Sequence, residues 1–164
     1  MDATALARSL LDPIPAHQTI GIEVLRAADG VGVVAVTVPP HLANVIGSLH
    51  SSGLITLIDA AGLAAIIAAF PAEQAFDGVV PLGTAASLRF LAPARGRLIA
   101  TCVLDKGAGD QLTAVVHGAT SRVRFTTTAA VTDETDTVVC HGTFDWSVRR
   151  AGPPNIPPAA DASM

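Results

Sequence analysis

The stretch Ser51-Ser52-Gly53-Leu54-Ile55-Thr56-Leu57-Ile58-Asp59-Ala60-Ala61-Gly62-Leu63-Ala64-Ala65-Ile66-Ile67-Ala68-Ala69-Phe70 decides the fold. Apolar residues fall on nearly every face of the helix it would form, and a helix of that kind is a buried one. Asp59 is the only charge in it. A lone carboxylate in such surroundings is costly unless it is paired or hydrogen-bonded. Burial would favour its neutral form and so suit it to taking up a proton. The helix should end near Phe70, because Pro71 cannot continue the ladder and disfavours helix in the residue before it.

Just upstream, Asn44-Val45-Ile46-Gly47-Ser48-Leu49-His50-Ser51-Ser52-Gly53 places an amide, an imidazole and free backbone N–H groups at the start of the same helix. This run resembles the central-helix start of hotdog-fold acyl-CoA thioesterases of the PaaI type, to which the DUF4442-type proteins are related. Those enzymes carry an Asn, then His-Gly-Gly, then an acid about two helical turns on. Asn44, His50 and Asp59 occupy these places in order. The strand Leu88-Arg89-Phe90-Leu91-Ala92-Pro93-Ala94 is similar to the aliphatic–x–aromatic–aliphatic–x–Pro–Ala strand end of the family. The resemblance spans residues 18–148 or so, while its specific part is these short runs.

The rest of the chain suits one antiparallel sheet. With 164 residues it is one domain's worth: a single domain over 1–148, with 1–17 as an N-terminal helix and linker. Residues 3–11 read as an amphipathic helix stopped by Pro13 and Pro15. Residues 19–38 read as a hairpin turning at Asp29-Gly30, with Ile20, Ile22 and Val24 on one face. A loop from Pro71 to about Pro81 leads to Gly83–Leu91 and Leu98–Leu104, which read as a second hairpin. Asp110–His117 reads as a short helix capped by Asp110. Arg122–Val131 and Val138–Val148 form a third hairpin across an acidic turn. The Pro- and Ala-rich segment 149–164 should be a disordered tail. Strands segregate from helices, so the class is α+β, and a six-stranded antiparallel sheet wrapped around the long helix would bury it on all sides. The resemblance calls that layout a hotdog.

Composition removes other classes. The net charge is −4, only 4% of residues are aromatic, and no run of Lys or Arg follows a strand or helix, so nucleic acid is not an expected partner. Half the residues are hydrophobic, yet Asp59, Thr56 and two serines argue against a membrane span at 51–70. No basic segment followed by an apolar one opens the sequence, which points to a cytoplasmic protein with no membrane partner. Cys102 and Cys140 stand alone in strand-like segments and read as small buried hydrophobes. His117 and His141 lack metal-ligand spacing, so no metal is expected.

What the resemblance implies is thioester hydrolysis. Asp59 would attack the thioester carbonyl or activate a water. The Ser51 N–H at the helix N-terminus would polarise the carbonyl oxygen, and His50 and Asn44 would position the reactants. Ser52, Gly53 and Thr84 would line the substrate, with Thr84 the nearest match to a family Ser or Thr that supports the acid. Coenzyme A would be part of the substrate, and no separate cofactor is implied. Here Ser51-Ser52 stands where Gly-Gly is commonest, which narrows the approach of the acyl group. Arg89, Arg95, Arg97, Arg122 and Arg124 could face coenzyme A phosphates or simply solvent. Read alone, Asn44 could be an Asx-turn residue and His50 a helix cap. In the family two protomers join sheets edge to edge, and each site combines the Asn–His end of one helix with the acid of the other, so a homodimer or a dimer of dimers is implied. A hotdog that binds acyl groups without hydrolysing them is the alternative. Hotdog hydratases are disfavoured because no Gly-Asp-x-Asn-Pro-x-His-like run is present.

Overall fold

In the computed structural model, residues 2–70 and 72–151 are described. Helix α1 (Ala3–Leu11) starts at Asp2, whose carboxylate accepts from the Ala5 N–H at 2.7 Å, and it buries Leu6, Ala7 and Leu11. Helix α2 (Pro15–Ile20) follows, then strands β1 (Glu23–Ala28) and β2 (Val31–Thr37). The long helix α3 spans Ser51–Ala69. After it come β3 (Val79–Phe90), β4 (Arg97–Val103), helix α4 (Lys106–Val116), β5 (Arg122–Thr132) and β6 (Val138–Arg150).

The six strands form one sheet in the order β1-β2-β4-β5-β6-β3, with every neighbour antiparallel. Its inner face lies on α3, and the helix contributes the small residues Ala60, Ala61, Ala64, Ala65 and Ala68 to the core. Because these side chains are so short, strand and helix backbones come close together. A Cβ on Gly32 of β2 would run into the Ala61 carbonyl oxygen, and one on Gly142 of β6 into Ile58. Near the C-terminal end of α3, a second apolar cluster forms from Ile66, Val79, Trp146 and Val148 with Leu112, Val115 and Val116 of α4.

The fold class and the central helix are as the sequence implies, while several details differ. First, α3 is not covered all round: Ser52, Ile55, Thr56, Asp59 and Leu63, related by steps of three or four residues along one face, form a stripe left open or half-open. Short side chains on the sheet side let the helix sink in on one face, and among the described residues no element fully covers the other. Second, the start of the expected 19–38 hairpin is helical. Pro15 opens α2 with its preset φ, and Gly21, in the left-handed region at φ 79, closes it before β1 begins at Glu23.

Third, Gly83–Leu91 and Leu98–Leu104 are not a hairpin. Strand β3 pairs with β6 at one edge of the sheet, and β4 lies between β2 and β5. Alternation identifies a strand without naming its partner, and residues 91–96 carry the chain across the end of the sheet. Strand β3 already begins at Val79, and Pro81 is tolerated inside it because β3 is an edge. Fourth, α4 is capped by Asp105, which accepts from the Ala108 N–H at 2.8 Å, rather than by Asp110. Fifth, Arg149 and Arg150 belong to β6, and Arg150 donates to the Val115 carbonyl at 2.9 Å and to that of Val116, closing the last turn of α4. The remainder of the expected tail, 152–164, lies outside the described residues. Helix α3 is long and apolar enough to cross a membrane, yet most of it is buried in this core.

Gly32→Ala should therefore cost on the order of 3 kcal/mol, since the new methyl meets helix backbone that cannot rotate away. Urea denaturation measures this, and an unchanged midpoint would show that α3 and β2 are not packed this closely.

Candidate active site

The segment before α3 is held by a set of short-range bonds. The Asn44 side-chain oxygen accepts from the N–H groups of Ile46 (3.1 Å) and Ser48 (3.0 Å), and Asn44 and Ser48 also bond through their backbones. Asn44 is thus a loop-closing residue whose NH2 group stays free of that loop. The Pro93-Ala94 strand end clamps the loop from the other side. Ala94 N–H donates to the Ser48 hydroxyl at 2.8 Å, and the Leu49 N–H donates to the Ala94 carbonyl at 2.8 Å. Arg95 donates twice to the Ile46 carbonyl, at 2.8 and 3.0 Å. That guanidinium is therefore engaged with the loop.

Helix α3 then starts from His50. Its Nδ1 accepts from the Ser52 N–H at 3.1 Å and lies 2.8 Å from the Ser52 hydroxyl, so the imidazole caps the helix and its own proton sits on Nε2. The Gly53 and Leu54 N–H groups donate to the His50 carbonyl. Among the described residues, the Ser51 N–H has no acceptor. It is an open donor at a positive helix end. Beside it lies a cleft of about 520 Å³ whose lining includes Asn44, His50, Ser51, Leu54, Phe90 and Pro93. The structure thus brings Asn44, His50 and Ser51 together. Ser52 is adjacent through its hydroxyl, while Gly53 is buried against Leu49, where a Cβ would collide.

Asp59 is eight residues further along α3, about 12 Å away at the helical rise, and does not line that cleft. Its side chain is 29% exposed on the open stripe, so the expectation of a fully buried acid is corrected. The polar partner it has is His17, on α2. The His17 Nε2 lies 3.8 Å from the Asp59 Oδ2, and its Nδ1 is 3.1 Å from the Leu11 carbonyl. His17 was not legible as a site residue, because 42 positions separate it from Asp59 and nothing in Pro15–Ile20 marks it out. Thr84 sits at a bulge in β3, where its exposed hydroxyl donates to the Asp145 carbonyl at 3.2 Å, and it makes no bond to Asp59. Arg89, Arg122 and Arg124 are exposed, and Arg97 pairs with Glu23 at 2.9 Å. No group of three or more His, Cys, Asp or Glu converges among the described residues.

Both thiols face the interior. Burial pushes the Cys102 thiol up to about 11, offset only in part by a hydrogen bond with Thr127, and burial likewise raises that of Cys140.

A family model described as a domain of unknown function, DUF4442, matches residues 4–148. No curated protein matches the chain. Among solved structures, it is similar to a Pseudomonas aeruginosa protein of unknown function described as a probable thioesterase, with 22% identity over 90% of this chain and 93% of that one and a TM-score of 0.69. The Escherichia coli PaaI protein of the phenylacetic acid degradation operon is 18% identical, over 92% of this chain and 94% of its own, with a TM-score of 0.65. A thioesterase from Haemophilus influenzae is 16% identical, over 89% and 90%, with a TM-score of 0.66. At these identities the likeness establishes the architecture: the sheet and its helix are those of a hotdog.

The two cysteines give a test of the core packing. At pH 8 a thiol titrating near 11 is ionised about a hundredfold less than a free one. Native protein should react with a disulfide reagent far more slowly than small thiols do, and both groups should appear on unfolding. Immediate reaction of two thiols in native buffer would contradict the packing described.

Proposed function

The chain belongs to the DUF4442 family and has the hotdog fold, and on that premise we propose that it hydrolyses an acyl-CoA thioester, using Asp59 as base and the Ser51 N–H as oxyanion donor. The observation that carries this reading is the open Ser51 N–H, unpartnered among the described residues and facing a partly apolar cleft. Charge develops on the thioester oxygen in the transition state, and a fixed donor pointed there lowers the barrier.

Asp59 and Ser51 lie too far apart on one helix to act on one carbonyl, so the reaction needs two chains. The surface supports that. Strand β3 is a 12-residue edge in which Val80, Leu82 and Phe90 are 36 to 57% exposed, and Leu91 just after it is exposed as well. Val45 and Ile46 in the loop before α3 and Ile55 on the α3 stripe are also exposed. An unpaired edge of this length calls for a cover, and a second copy joined β3 to β3 supplies one. Asp59 of one protomer then faces Asn44, His50 and Ser51 of the other. In the reaction, Asp59 takes a proton from water as the water oxygen bonds to the carbonyl carbon. The partner subunit's Ser51 N–H holds the oxyanion. As the C–S bond breaks, Asp59 returns the proton to the departing sulfur, giving carboxylic acid and free coenzyme A.

The second reading, an acyl-binding protein without turnover, draws on the Ser51 and Ser52 side chains that crowd the entrance. Both readings are separated by thiol release from a panel of short, medium, long and aryl acyl-CoAs. Asp59→Asn should abolish release and leave the fold intact; release at the parental rate would sink the mechanism. Ser51→Pro deletes the oxyanion donor without breaking a bond in the fold, because proline suits the first helical position and His50 already has the extended conformation it requires. Turnover should fall by about 10²- to 10³-fold. Mixed dimers of the two variants should recover activity, whereas silence of every mixture would show that the two groups do not meet across an interface.

A further inference from the structure

His17 is a buried base that the mechanism above does not use. Its side chain is 3% exposed, and it is wedged between the end of α1 and the middle of α3. The Leu11 carbonyl can only accept, so the 3.1 Å contact places a proton on Nδ1. That fixes the ring, and the opposite nitrogen, Nε2, lies 3.8 Å from Asp59 Oδ2, an ion-pair distance longer than a hydrogen bond and attractive when Nε2 carries a proton as well. Among the described residues there are two other ion pairs, Arg97 with Glu23 and Lys106 with Asp110, and neither involves this pair. Nor does any described N–H or hydroxyl donate to Asp59. A residue needed only to tie α1 to α2 would be complete with the Nδ1 bond.

We propose that His17, as the imidazolium with an N–H at each ring nitrogen, is the positioning residue for Asp59 of its own chain, a reading that rests on the thioesterase function proposed above. Asp59 is on the open stripe of α3, and among the described residues no donor lies within hydrogen-bond distance of its side chain. With the imidazolium behind one carboxylate oxygen, rotation of the carboxylate is opposed, and the other oxygen is left for water. A small misplacement of a reacting group costs far more in rate than in binding, so the contribution of His17 falls on kcat. The two ends of the ring separate the two roles. Asparagine in place of histidine puts its amide near Nδ1 and retains the tie to Leu11, while glutamine puts its amide near Nε2 and retains an N–H facing Asp59.

The experiment is steady-state thiol release by His17→Asn and His17→Gln, with Asp59→Asn alongside and thermal melting of all three. His17→Asn should lose about 10- to 100-fold in kcat at a KM within about threefold of the parent, with a melting temperature near parental. His17→Gln should recover most of that loss. Parental kcat in His17→Asn while Asp59→Asn is silent overturns the positioning role alone. Equal losses in both variants that follow their melting temperatures also overturn it, since that marks a structural histidine. Parental turnover by Asp59→Asn, or none by the wild type, defeats the thioesterase reading and this role with it. If His17→Asn does not fold, the imidazole nitrogen resonances of wild type and Asp59→Asn decide. The His17 Nε2 signal should move while those of His41, His117 and His141 stay, and an unmoved signal overturns the proposal.

Discussion

The close approach of α3 to the sheet is the constraint on which everything else depends. Alanines at 60, 61, 64, 65 and 68 and glycines at 32 and 142 let helix and strand backbones come nearly into contact. Larger residues at these places would lift the helix off the sheet. With the helix sunk into the sheet on one side, the opposite side is left as a narrow stripe, and that stripe carries Asp59. The same packing that buries the helix therefore determines where its one charge meets solvent.

A second constraint acts at the helix start. The loop 44–48 is closed by Asn44 and clamped by Ala94 and Arg95, so Ser51 enters the helix at a fixed angle. His50 caps Ser52 but leaves Ser51 open. The residues that look catalytic in the sequence are, in one chain, largely structural: Asn44 closes a turn and His50 caps a helix. Those bonds are compatible with a role in binding, because each leaves a donor free, the Asn44 NH2 and the His50 Nε2–H. What they produce is a rigid N–H at the edge of a cleft, which is what stabilising a transient oxyanion requires.

The central helix, the strand count and the loop-to-helix motif were legible because each is written in local pattern: the all-round apolar run, period-two alternation, and the spacing from Asn44 to Asp59. The hairpins β1–β2 and β5–β6 were legible too, but the partners of β3 and β4 were not. Nothing in Gly83–Leu91 distinguishes β6 from β4 as its neighbour, since period-two alternation is the same in either register. Helix α2 was hidden by three aliphatics that alternate across its end into β1. The degree of burial of Asp59 was misjudged for a related reason: an apolar run shows that most faces are covered, and only packing shows which one is not. His17 was invisible because its contact with Asp59 spans 42 residues.

The central claim is that one thioester carbonyl is served by two chains. The most direct test is a crystal structure of the Asp59→Asn protein with a bound acyl-CoA. The account predicts the carbonyl oxygen within about 2.7 to 3.1 Å of the partner's Ser51 nitrogen, with residue 59 of the other protomer beside the carbonyl carbon. A carbonyl bound wholly within one chain, or away from the start of α3, would contradict it.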